Sequence, residues 1–323
     1  MSRLNQLKSG EKSVRVFAPA SISNLGAGFD VLGVAIEKPG DIVTAHRTKE
    51  HELSFSLRGS PNDDLPANLN DNVAAYVARL LIKEFHPPFG ISLELDKKMP
   101  IGSGLGSSAA SSVAAVVAVN ALLPMPLRKE DLLSFALEGE RKTSGSAHAD
   151  NAAPSLFGGV CLIRSYDPLD VIKVPVKNAF WWVVVHPHVI VLTKLAREVL
   201  PEAVPLKKAV RQWGNVGGLI TGLMTGDAPL FGRSMEDVIV EPVRARLIPA
   251  FYEVKEAALK TGAYGCALSG SGPSMFAVAA SKPQAQKIGN AMKEEFKSKA
   301  RIDSTIYVSR INMEGASLLK APK

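Results

Sequence analysis

The chain has 323 residues, of which 46% are hydrophobic and 21% are charged, and its formal net charge is +7. This composition is ordinary for a globular enzyme, and the length predicts two domains. Lysines and arginines are scattered, and no basic stripe is interleaved with aromatic residues, which disfavours a nucleic-acid partner. A mildly basic surface suits an anionic small molecule such as a nucleotide.

The sequence also lacks the marks of a membrane-bound protein. Residues 1–13 are polar and have no apolar signal core. The longest apolar run, 109–123, is interrupted by two serines and an asparagine and is too short to span a bilayer, so it predicts a buried core helix. The two cysteines lie far apart in apolar contexts, which predicts core thiols and a cytoplasmic location.

Strands and helices mix in the first half of the chain. Alternating apolar residues predict strands, and apolar residues at helical spacing predict helices. The predicted strands cover 14–18, 31–36, 42–46, 91–96 and 157–164, the predicted helices cover 71–85, 109–123 and 127–139, and 144–151 is predicted as a loop.

The second half is predicted to begin near 166–170, where Pro168 interrupts the pattern. Neither half shows a strict βαβ alternation, which predicts the α+β class. The predicted organisation is a polar extension at 1–13, an N-terminal domain at 14–166 and a C-terminal domain at 167–323. Predicted strands cover 180–186, 189–193, 263–268, 274–280 and 302–311, and predicted helices cover 194–200, 206–225, 249–260 and 283–299.

The segment Pro100-Ile-Gly-Ser-Gly-Leu-Gly-Ser-Ser-Ala-Ala110 lies between a predicted strand and the apolar helix. Glycines at alternate positions permit a tight turn, and the start of the helix offers free N–H groups, so the segment predicts an anion site for phosphate. A tight structural connection is the alternative interpretation. The Walker pattern is absent, and a G-x-G-x-x-A match at Gly104, Gly106 and Ala109 lacks a suitably placed acidic residue for dinucleotide binding.

Polar residues cluster in several other segments. Asn24 and Asp30 flank a glycine-rich stretch, Glu140 follows a predicted helix, and His148-Ala-Asp-Asn151 places three polar groups in four residues. Each feature alone is more typical of a turn, a cap or a surface group. Composition and spacing do not assemble them into one site.

Taken together, these segments resemble a known family. The segment ending at Ala110 resembles the nucleotide signature of the GHMP small-molecule kinases, the group of galactokinase, mevalonate kinase and phosphomevalonate kinase. Five further segments resemble the homoserine kinases within that group. They are Ala18-Pro-Ala-Ser-Ile-Ser-Asn-Leu-Gly-Ala-Gly-Phe-Asp30, His148-Ala-Asp-Asn151, Thr193-Lys-Leu-Ala-Arg197, Glu241-Pro-Val-Arg-Ala-Arg-Leu-Ile-Pro249 and Leu268-Ser-Gly-Ser-Gly-Pro-Ser274.

The resemblance implies ATP-dependent phosphorylation of the L-homoserine hydroxyl, with Mg²⁺, in threonine biosynthesis. It implies a two-domain α+β fold, with an N-terminal domain like ribosomal protein S5 domain 2, a ferredoxin-like C-terminal domain, and the active site in the cleft between them. It also implies a homodimer. A sister GHMP kinase of the mevalonate or shikimate type is the alternative, as is a non-catalytic sensor on the same scaffold.

The resemblance also implies a set of site residues. The nucleotide is expected on Pro100, Ile101, Gly102, Ser103, Gly104, Leu105, Gly106, Ser107, Ser108, Ala109 and Ala110. The substrate is expected on Asn24, Asp30, His148, Asp150, Asn151, Thr193, Arg197, Arg244, Ser271 and Gly272. The catalytic set is expected to be Asp150, Asn151, Glu140 and Ser108, with Ser108 and Glu140 as the Mg²⁺ ligands.

Paired guanidinium donors make Arg197 and Arg244 suited to the substrate carboxylate, and Asp30 is suited to its ammonium. Asp150 has two open roles, as the base that takes the hydroxyl proton or as a ligand of the ammonium.

Overall fold

The computed structural model of the chain describes residues 12–59, 65–66, 68–177 and 180–319. Of the predicted polar extension, residues 1–11 lie outside the described residues. Two β-sheets with helices packed against them form the described part of the chain, which confirms the α+β class. No helix within the described ranges combines the length and apolar character needed to cross a membrane.

The first sheet has seven strands, and strand β2 lies at its centre. β2 pairs antiparallel with β1, β4 and β5, and β3 pairs parallel with β4. The strands are β1 (Ser13–Ser23), β2 (Leu32–Thr48), β3 (Leu53–Arg58), β4 (Gly90–Asp96), β5 (Val160–Tyr166), β6 (Leu169–Val174) and β11 (Ser317–Leu318).

Among the described residues, four α-helices accompany this sheet, namely α1 (Val73–Phe85), α2 (Ser107–Leu122), α3 (Leu133–Ser144) and α4 (Ala149–Phe157). Helix α2 is the predicted core helix, and every residue from Ala109 to Leu122 is buried. Its alanines and valines present small side chains on all faces, so the sheet and the other helices pack closely around it. The N-terminus of α2 is thereby fixed at the edge of the core.

The second sheet has four antiparallel strands, β7 (Trp181–Pro187), β8 (Gly265–Leu268), β9 (Met275–Ala279) and β10 (Ser304–Ser309), in the order β10-β7-β9-β8. This is the strand order of a ferredoxin-like sheet, as predicted. In the described part of this half, six α-helices accompany the sheet, namely α5 (Thr193–Glu198), α6 (Leu206–Thr225), α7 (Ala228–Ser234), α8 (Glu241–Arg244), α9 (Phe251–Lys260) and α10 (Lys282–Ala300).

Several local predictions differ from the structure. The strands predicted at 31–36 and 42–46 are parts of the single strand β2, whose register with β1 shifts between Pro19 and Ser21. The strand predicted at 189–193 is wrong, because 189–192 is irregular and α5 begins at Thr193. The loop predicted at 144–151 ends inside α4, which carries Asp150 in its first turn.

The predicted boundary between residues 166 and 167 falls inside the hairpin of β5 and β6. The two strands stay paired as far as Val174. Strand β11, near the end of the chain, also belongs to the first sheet. We therefore propose that the N-terminal domain extends to about Val174 and that the last strand returns to it.

Candidate active site

The segment 100–110 folds as a tight turn that leads into α2. Gly102, Gly104 and Gly106 have φ angles of +61°, +75° and +63°, in the left-handed region that favours glycine. The helix begins at Ser107, directly after this turn. The N–H groups of its first turn have no partners within the helix, and the helix dipole adds partial positive charge, so the turn is suited to bind phosphate.

The turn is held from both sides. A Cβ atom added to Gly106 would lie 2.2 Å from Oγ of Ser21 on β1, and one added to Gly104 would lie 2.4 Å from the carbonyl oxygen of Ser269. Ser269 Oγ also donates to the Gly104 carbonyl at 2.6 Å. The loop at 269–274, between β8 and β9, therefore packs directly on the turn, which joins the two sheets at the site.

A buried lysine under the turn is absent from the predicted site. Lys97 is 2% exposed, and its Nζ pairs with Asp41 and donates to the Ser107 carbonyl at 3.1 Å and to Ser111 Oγ at 2.9 Å. Asp41 Oδ1 in turn accepts from the Met99 N–H at 3.1 Å. This network fixes the start of α2 to the end of β4. A single lysine in a polar stretch gives no sequence signal for such a position.

Arg197 lies at the centre of a chain of charged groups. Its Nη2 donates to both carboxylate oxygens of Asp30, at 2.8 and 2.9 Å, and its Nε donates to His148 Nε2 at 3.2 Å. His148 Nδ1 lies 3.5 Å from Glu140 Oε2. Burial alone would lower the pKa of His148, but the hydrogen bond and charge of Glu140 outweigh burial and raise it. Because Nε2 accepts from Arg197, the proton of the neutral ring is on Nδ1, toward Glu140.

Arg244 is the second predicted arginine and is 3% exposed. Its Nε donates to the Ala196 carbonyl at 2.9 Å, and its Nη1 donates to the Gly270 carbonyl at 3.1 Å. The guanidinium carbons of Arg244 and Arg197 lie 5.1 and 5.6 Å from the centre of the Phe29 ring. The two cations therefore lie on one aromatic side chain, within reach of one anionic group. Burial lowers the pKa of Arg244 to about 10, so it stays charged at neutral pH.

Asp150 is 1% exposed and lies in the first turn of α4. A Cβ added to Gly33 of β2 would lie 1.7 Å from the Asp150 carbonyl oxygen, so glycine at that strand position allows α4 to lie directly on the sheet. Burial, and after it the negative charge of Asp30, raise the pKa of Asp150 to about 7. Asp150 is therefore poised to titrate near neutral pH, as many functional carboxyl groups are.

The two predicted asparagines hold the loops of the site together. Asn151 Oδ1 accepts from Ser21 Oγ at 2.9 Å, and Asn151 Nδ2 donates to Ser23 Oγ at 3.1 Å. Asn24 has a φ of +71°, accepts from the Asp30 N–H at 3.1 Å and donates to the Gly270 carbonyl at 3.1 Å. The serines of β1 were not among the predicted residues, although they lie inside one of the matched segments.

These groups surround one cavity of about 620 Å³ between the two sheets. All predicted substrate residues except Gly272 line it, as do Glu140, Ser108 and most of the turn. Thr193 Oγ1 lies 3.5 Å from Ser271 Oγ across its wall. The predicted residues that do not line the cavity are Pro100, Leu105, Ala109, Ala110 and Gly272. Of these, Leu105, Ala109 and Ala110 are buried and support the turn from below.

The donor set fits a magnesium ion. Within the described part of the chain, Glu140 Oε1 and Asp150 Oδ1 are buried without a hydrogen-bond partner, and both residues line the cavity with Ser108. No group of three or more His, Cys, Asp or Glu among the described residues could hold a metal by itself. Mg²⁺ is commonly held by one or two protein oxygens together with substrate phosphates and water, which matches this sparse set.

Comparisons with known proteins agree with the fold. Residues 72–159 match the GHMP kinases N terminal domain, and residues 219–298 match the GHMP kinases C terminal domain. The chain belongs to the GHMP kinase family.

Within that family the chain is similar to homoserine kinases over nearly its whole length. It is 47% identical to a homoserine kinase of Chlorobium phaeobacteroides (strain BS1), over 95% of this chain and 100% of that protein. It is 45% identical to a homoserine kinase of Chlorobaculum tepidum, over 95% of this chain and 98% of that protein. A crystal structure of homoserine kinase from Cytophaga hutchinsonii matches with a TM-score of 0.92 at 49% identity, over 97% of this chain and 99% of that chain. These relatives place the chain among the homoserine kinases.

Proposed function

We propose that this protein transfers the γ-phosphoryl group of ATP to the side-chain hydroxyl of L-homoserine, giving ADP and O-phospho-L-homoserine in threonine biosynthesis. The observation that carries the proposal is the placement of two arginines and two aspartates around one cavity that is also lined by the glycine turn. Homoserine carries a carboxylate, an ammonium and a hydroxyl. Arg197 and Arg244 match the first of these groups, and Asp30 and Asp150 match the second.

The carboxylate of homoserine binds between the two guanidinium groups beside Phe29. Arg197 is oriented by Asp30, and Arg244 is held by two backbone carbonyls, so both present donors without first having to be ordered. A sister kinase that acts on mevalonate needs no ligand for an ammonium group. The paired aspartates therefore favour an amino acid.

The phosphates of ATP bind at Gly102–Gly106 and the first turn of α2. Ser108 and Glu140 would hold Mg²⁺, which would neutralise phosphate charge there. Phosphoryl transfer depends mainly on positioning and on charge neutralisation. Lys97, which fixes the start of α2, therefore contributes by keeping the phosphate-binding N–H groups in place.

The hydroxyl of homoserine is oriented by Asn151 and Asp150. Both oxygens of Asp30 already accept from Arg197, whereas Asp150 Oδ1 has no hydrogen-bond partner among the described residues. We therefore assign the ammonium chiefly to Asp150, with Asp30 as a second negative charge near it. For Asp150 we prefer a role in positioning the substrate over a role as a catalytic base. The cytoplasmic location and the homodimer expected from the family resemblance stay predictions.

The experiment that tests the proposal is the release of ADP when the purified protein is mixed with ATP, Mg²⁺ and L-homoserine. We expect stoichiometric ADP and O-phospho-L-homoserine, identified by mass. ADP release that is unchanged when homoserine is omitted would contradict the proposed reaction.

A further inference from the structure

Helix α6 contributes one buried polar side chain to the region behind the site. Of its residues from Leu206 to Gly218, all of which the structure describes, Gln212 alone is buried, at 7% exposed. It does not line the cavity. Burying an amide costs free energy unless its groups form hydrogen bonds, so the partners of Gln212 indicate its role.

Both donors and the acceptor of the Gln212 amide are used. Its Nε2 donates to the Ala27 carbonyl oxygen at 2.8 Å and to Asp237 Oδ1 at 2.9 Å. Its Oε1 accepts from the Val238 N–H at 3.1 Å. Because two of these partners accept and the third donates, they fix the orientation of the amide. A glutamate at this position would present a carboxylate to two acceptors, so the contacts require an amide.

The first partner, Ala27, lies in the loop between β1 and β2, which carries part of the proposed carboxylate site. Phe29 of this loop contacts the guanidinium groups of both arginines of the site. Asp30 of the same loop accepts two hydrogen bonds from Arg197 and so orients it. The glutamine amide therefore connects α6 to the loop that sets the position of Arg197.

The other two partners precede α8, the short helix that ends at Arg244. Asp237 Oδ1 also accepts from the N–H groups of Ile239 and Val240, both at 2.9 Å. Its Oδ2 accepts from the Glu241 N–H at 3.0 Å. The Asp237 carboxylate thereby holds the turn that leads into α8. Arg244 lies within one helical turn of Glu241, so the glutamine amide also holds the segment that sets the position of Arg244.

We propose that Gln212 is a positioning residue for the substrate carboxylate, because it fixes the spacing between Arg197 and Arg244. The inference rests on the proposed function, in which the carboxylate of homoserine binds between these two guanidinium groups. Charge-assisted hydrogen bonds need both a short distance and a favourable angle, so two arginines bind one carboxylate only over a narrow range of separations. A change at Gln212 therefore weakens the binding of homoserine and leaves nucleotide binding intact.

The test compares Gln212→Glu and Gln212→Met with the unmodified enzyme, in assays that vary homoserine and ATP separately. The glutamate variant keeps the shape of the side chain and replaces both donors by a carboxylate, and the methionine variant keeps its length without a donor or a charge. We expect kcat/KM for homoserine to fall about ten- to a hundred-fold in both variants, chiefly through KM. KM for ATP is expected to stay nearly unchanged.

Asn120→Asp is the matched control, because it makes the same change from amide to acid at another buried side chain. Asn120 is 3% exposed near the C-terminal end of α2, where its Nδ2 donates to the Leu127 carbonyl at 3.1 Å and its Oδ1 accepts from the Leu127 N–H at 2.8 Å. Neither residue lines the cavity. We expect a lower melting temperature with an unchanged KM for homoserine. An equal rise of this KM in the control and in the Gln212 variants would overturn the proposal, because loss of stability alone would then explain it.

A double-mutant cycle tests whether Gln212 acts through the two arginines. Effects of independent sites on the free energy of activation add, whereas effects on one shared contact do not. In an Arg244→Ala enzyme the pair is already lost, so we expect Gln212→Met to lower kcat/KM for homoserine by no more than about two-fold further. The full decrease in this background would overturn the proposal.

The remaining outcomes also decide the matter. An unchanged KM for homoserine in a folded Gln212 variant would overturn the positioning role, as would a failure of both variants to fold by circular dichroism, which would assign Gln212 to folding alone. An unmodified enzyme that does not phosphorylate homoserine would overturn the proposed function and this inference with it. Normal homoserine kinetics of the variants beside an active unmodified enzyme would overturn the inference alone.

Discussion

Arg197 and Arg244 both contact the ring of Phe29, but they are held by different partners. Arg197 is half-buried and paired with Asp30, whereas Arg244 is almost wholly buried and donates to backbone carbonyls. Replacing either by alanine removes charge-assisted hydrogen bonds to the substrate carboxylate, worth roughly 1.5–3 kcal/mol. We expect kcat/KM for homoserine to fall about ten- to a hundred-fold through KM, with KM for ATP nearly unchanged.

Arg246→Ala is the matched control for both variants. Arg246 lies two residues from Arg244 but is exposed, and it does not line the cavity. We expect its kinetics to equal those of the unmodified enzyme. If ATP affinity fell in step with homoserine affinity in the Arg244→Ala enzyme, this arginine would belong to the nucleotide site.

Asp150→Asn separates the two roles of this carboxyl group. A ligand of the ammonium acts on the bound substrate and on the transition state alike, so its loss raises KM. A general base contributes about 10²–10⁴ in rate, so its loss lowers kcat at saturating homoserine. We expect a raised KM and a kcat loss smaller than that range. A thousand-fold fall in kcat with unchanged homoserine affinity by calorimetry would favour the base role.

The stability of the empty enzyme reports on the same group. The pKa of Asp150 rises from 3.8 to about 7 in the fold, so between these values the folded protein binds more protons than the unfolded chain. The free energy of unfolding therefore loses a contribution from this group as pH rises through that window. Denaturant titrations at pH 5 and pH 8 measure this change in the free energy of unfolding. We expect the unmodified protein to lose stability from Asp150 between the two pH values and the Asp150→Asn protein to lack this loss. If the free energy of unfolding changed with pH in the same way in both proteins, the raised pKa of Asp150 would be ruled out.

Glu140 and Ser108 are the proposed magnesium ligands. Glu140→Gln keeps the size of the side chain and removes the charge, and Ser108→Ala removes an oxygen donor from the first turn of α2. Because Mg²⁺ prefers hard oxygen ligands, we expect both variants to need more Mg²⁺ for half-maximal turnover, with unchanged thermal unfolding. Ser134→Ala, on the exposed side of α3, serves as the control. A normal Mg²⁺ titration in both test variants would count against this ligand assignment.

At the scale of elements, the contact between the glycine turn and the loop at 269–274 joins the two sheets. Gly104→Ala would place a Cβ within 2.4 Å of the Ser269 carbonyl oxygen and 2.7 Å of the Gly272 carbonyl oxygen. We expect a lower melting temperature and a clear loss of ATP affinity. Gly145→Ala is the control, because Gly145 shares a positive φ but has open space around it. Equal effects of the two substitutions would show that backbone strain alone, and not the contact, matters.

The long helices and several short strands could be predicted from the sequence, whereas other short elements could not. Helix α6 covers the predicted 206–225, and its buried residues Gln212, Leu219 and Leu223 lie on one face of the helix. Helix α4 was missed since it is short and contains Pro154. The run at 189–193 is apolar but too short to distinguish a strand from an irregular segment that packs on its neighbours. A single short apolar run is therefore a weaker indication of secondary structure than a pattern that repeats several times.

The site was predictable where its residues lie within recognisable segments, and the rest of it was not. Asp150 and Arg197 come from separate segments, and the fold brings them to one cavity. Lys97 and Asp41 lie outside every matched segment, so nothing in their spacing indicated a buried ion pair. The pairing of Arg197 with Asp30 is also a property of the fold, because 167 residues separate them.

At the scale of the whole molecule, we propose that the two halves of the chain supply different parts of one reaction. The first half of the chain provides the glycine turn and the carboxylates, and the second half of the chain provides both arginines. In this proposal, the cavity between the two halves brings the nucleotide site and the amino-acid site into contact. The substrate is therefore specified by charges contributed from both halves.

The central claim is tested most directly by comparing kcat/KM for L-homoserine with kcat/KM for mevalonate, galactose and shikimate in one ATP-dependent assay. Homoserine alone offers both a carboxylate for the arginines and an ammonium for the aspartates. We therefore predict that it is phosphorylated far more efficiently than the other three alcohols. Equal or better phosphorylation of mevalonate would contradict the assignment of the two arginines and two aspartates to an amino-acid substrate.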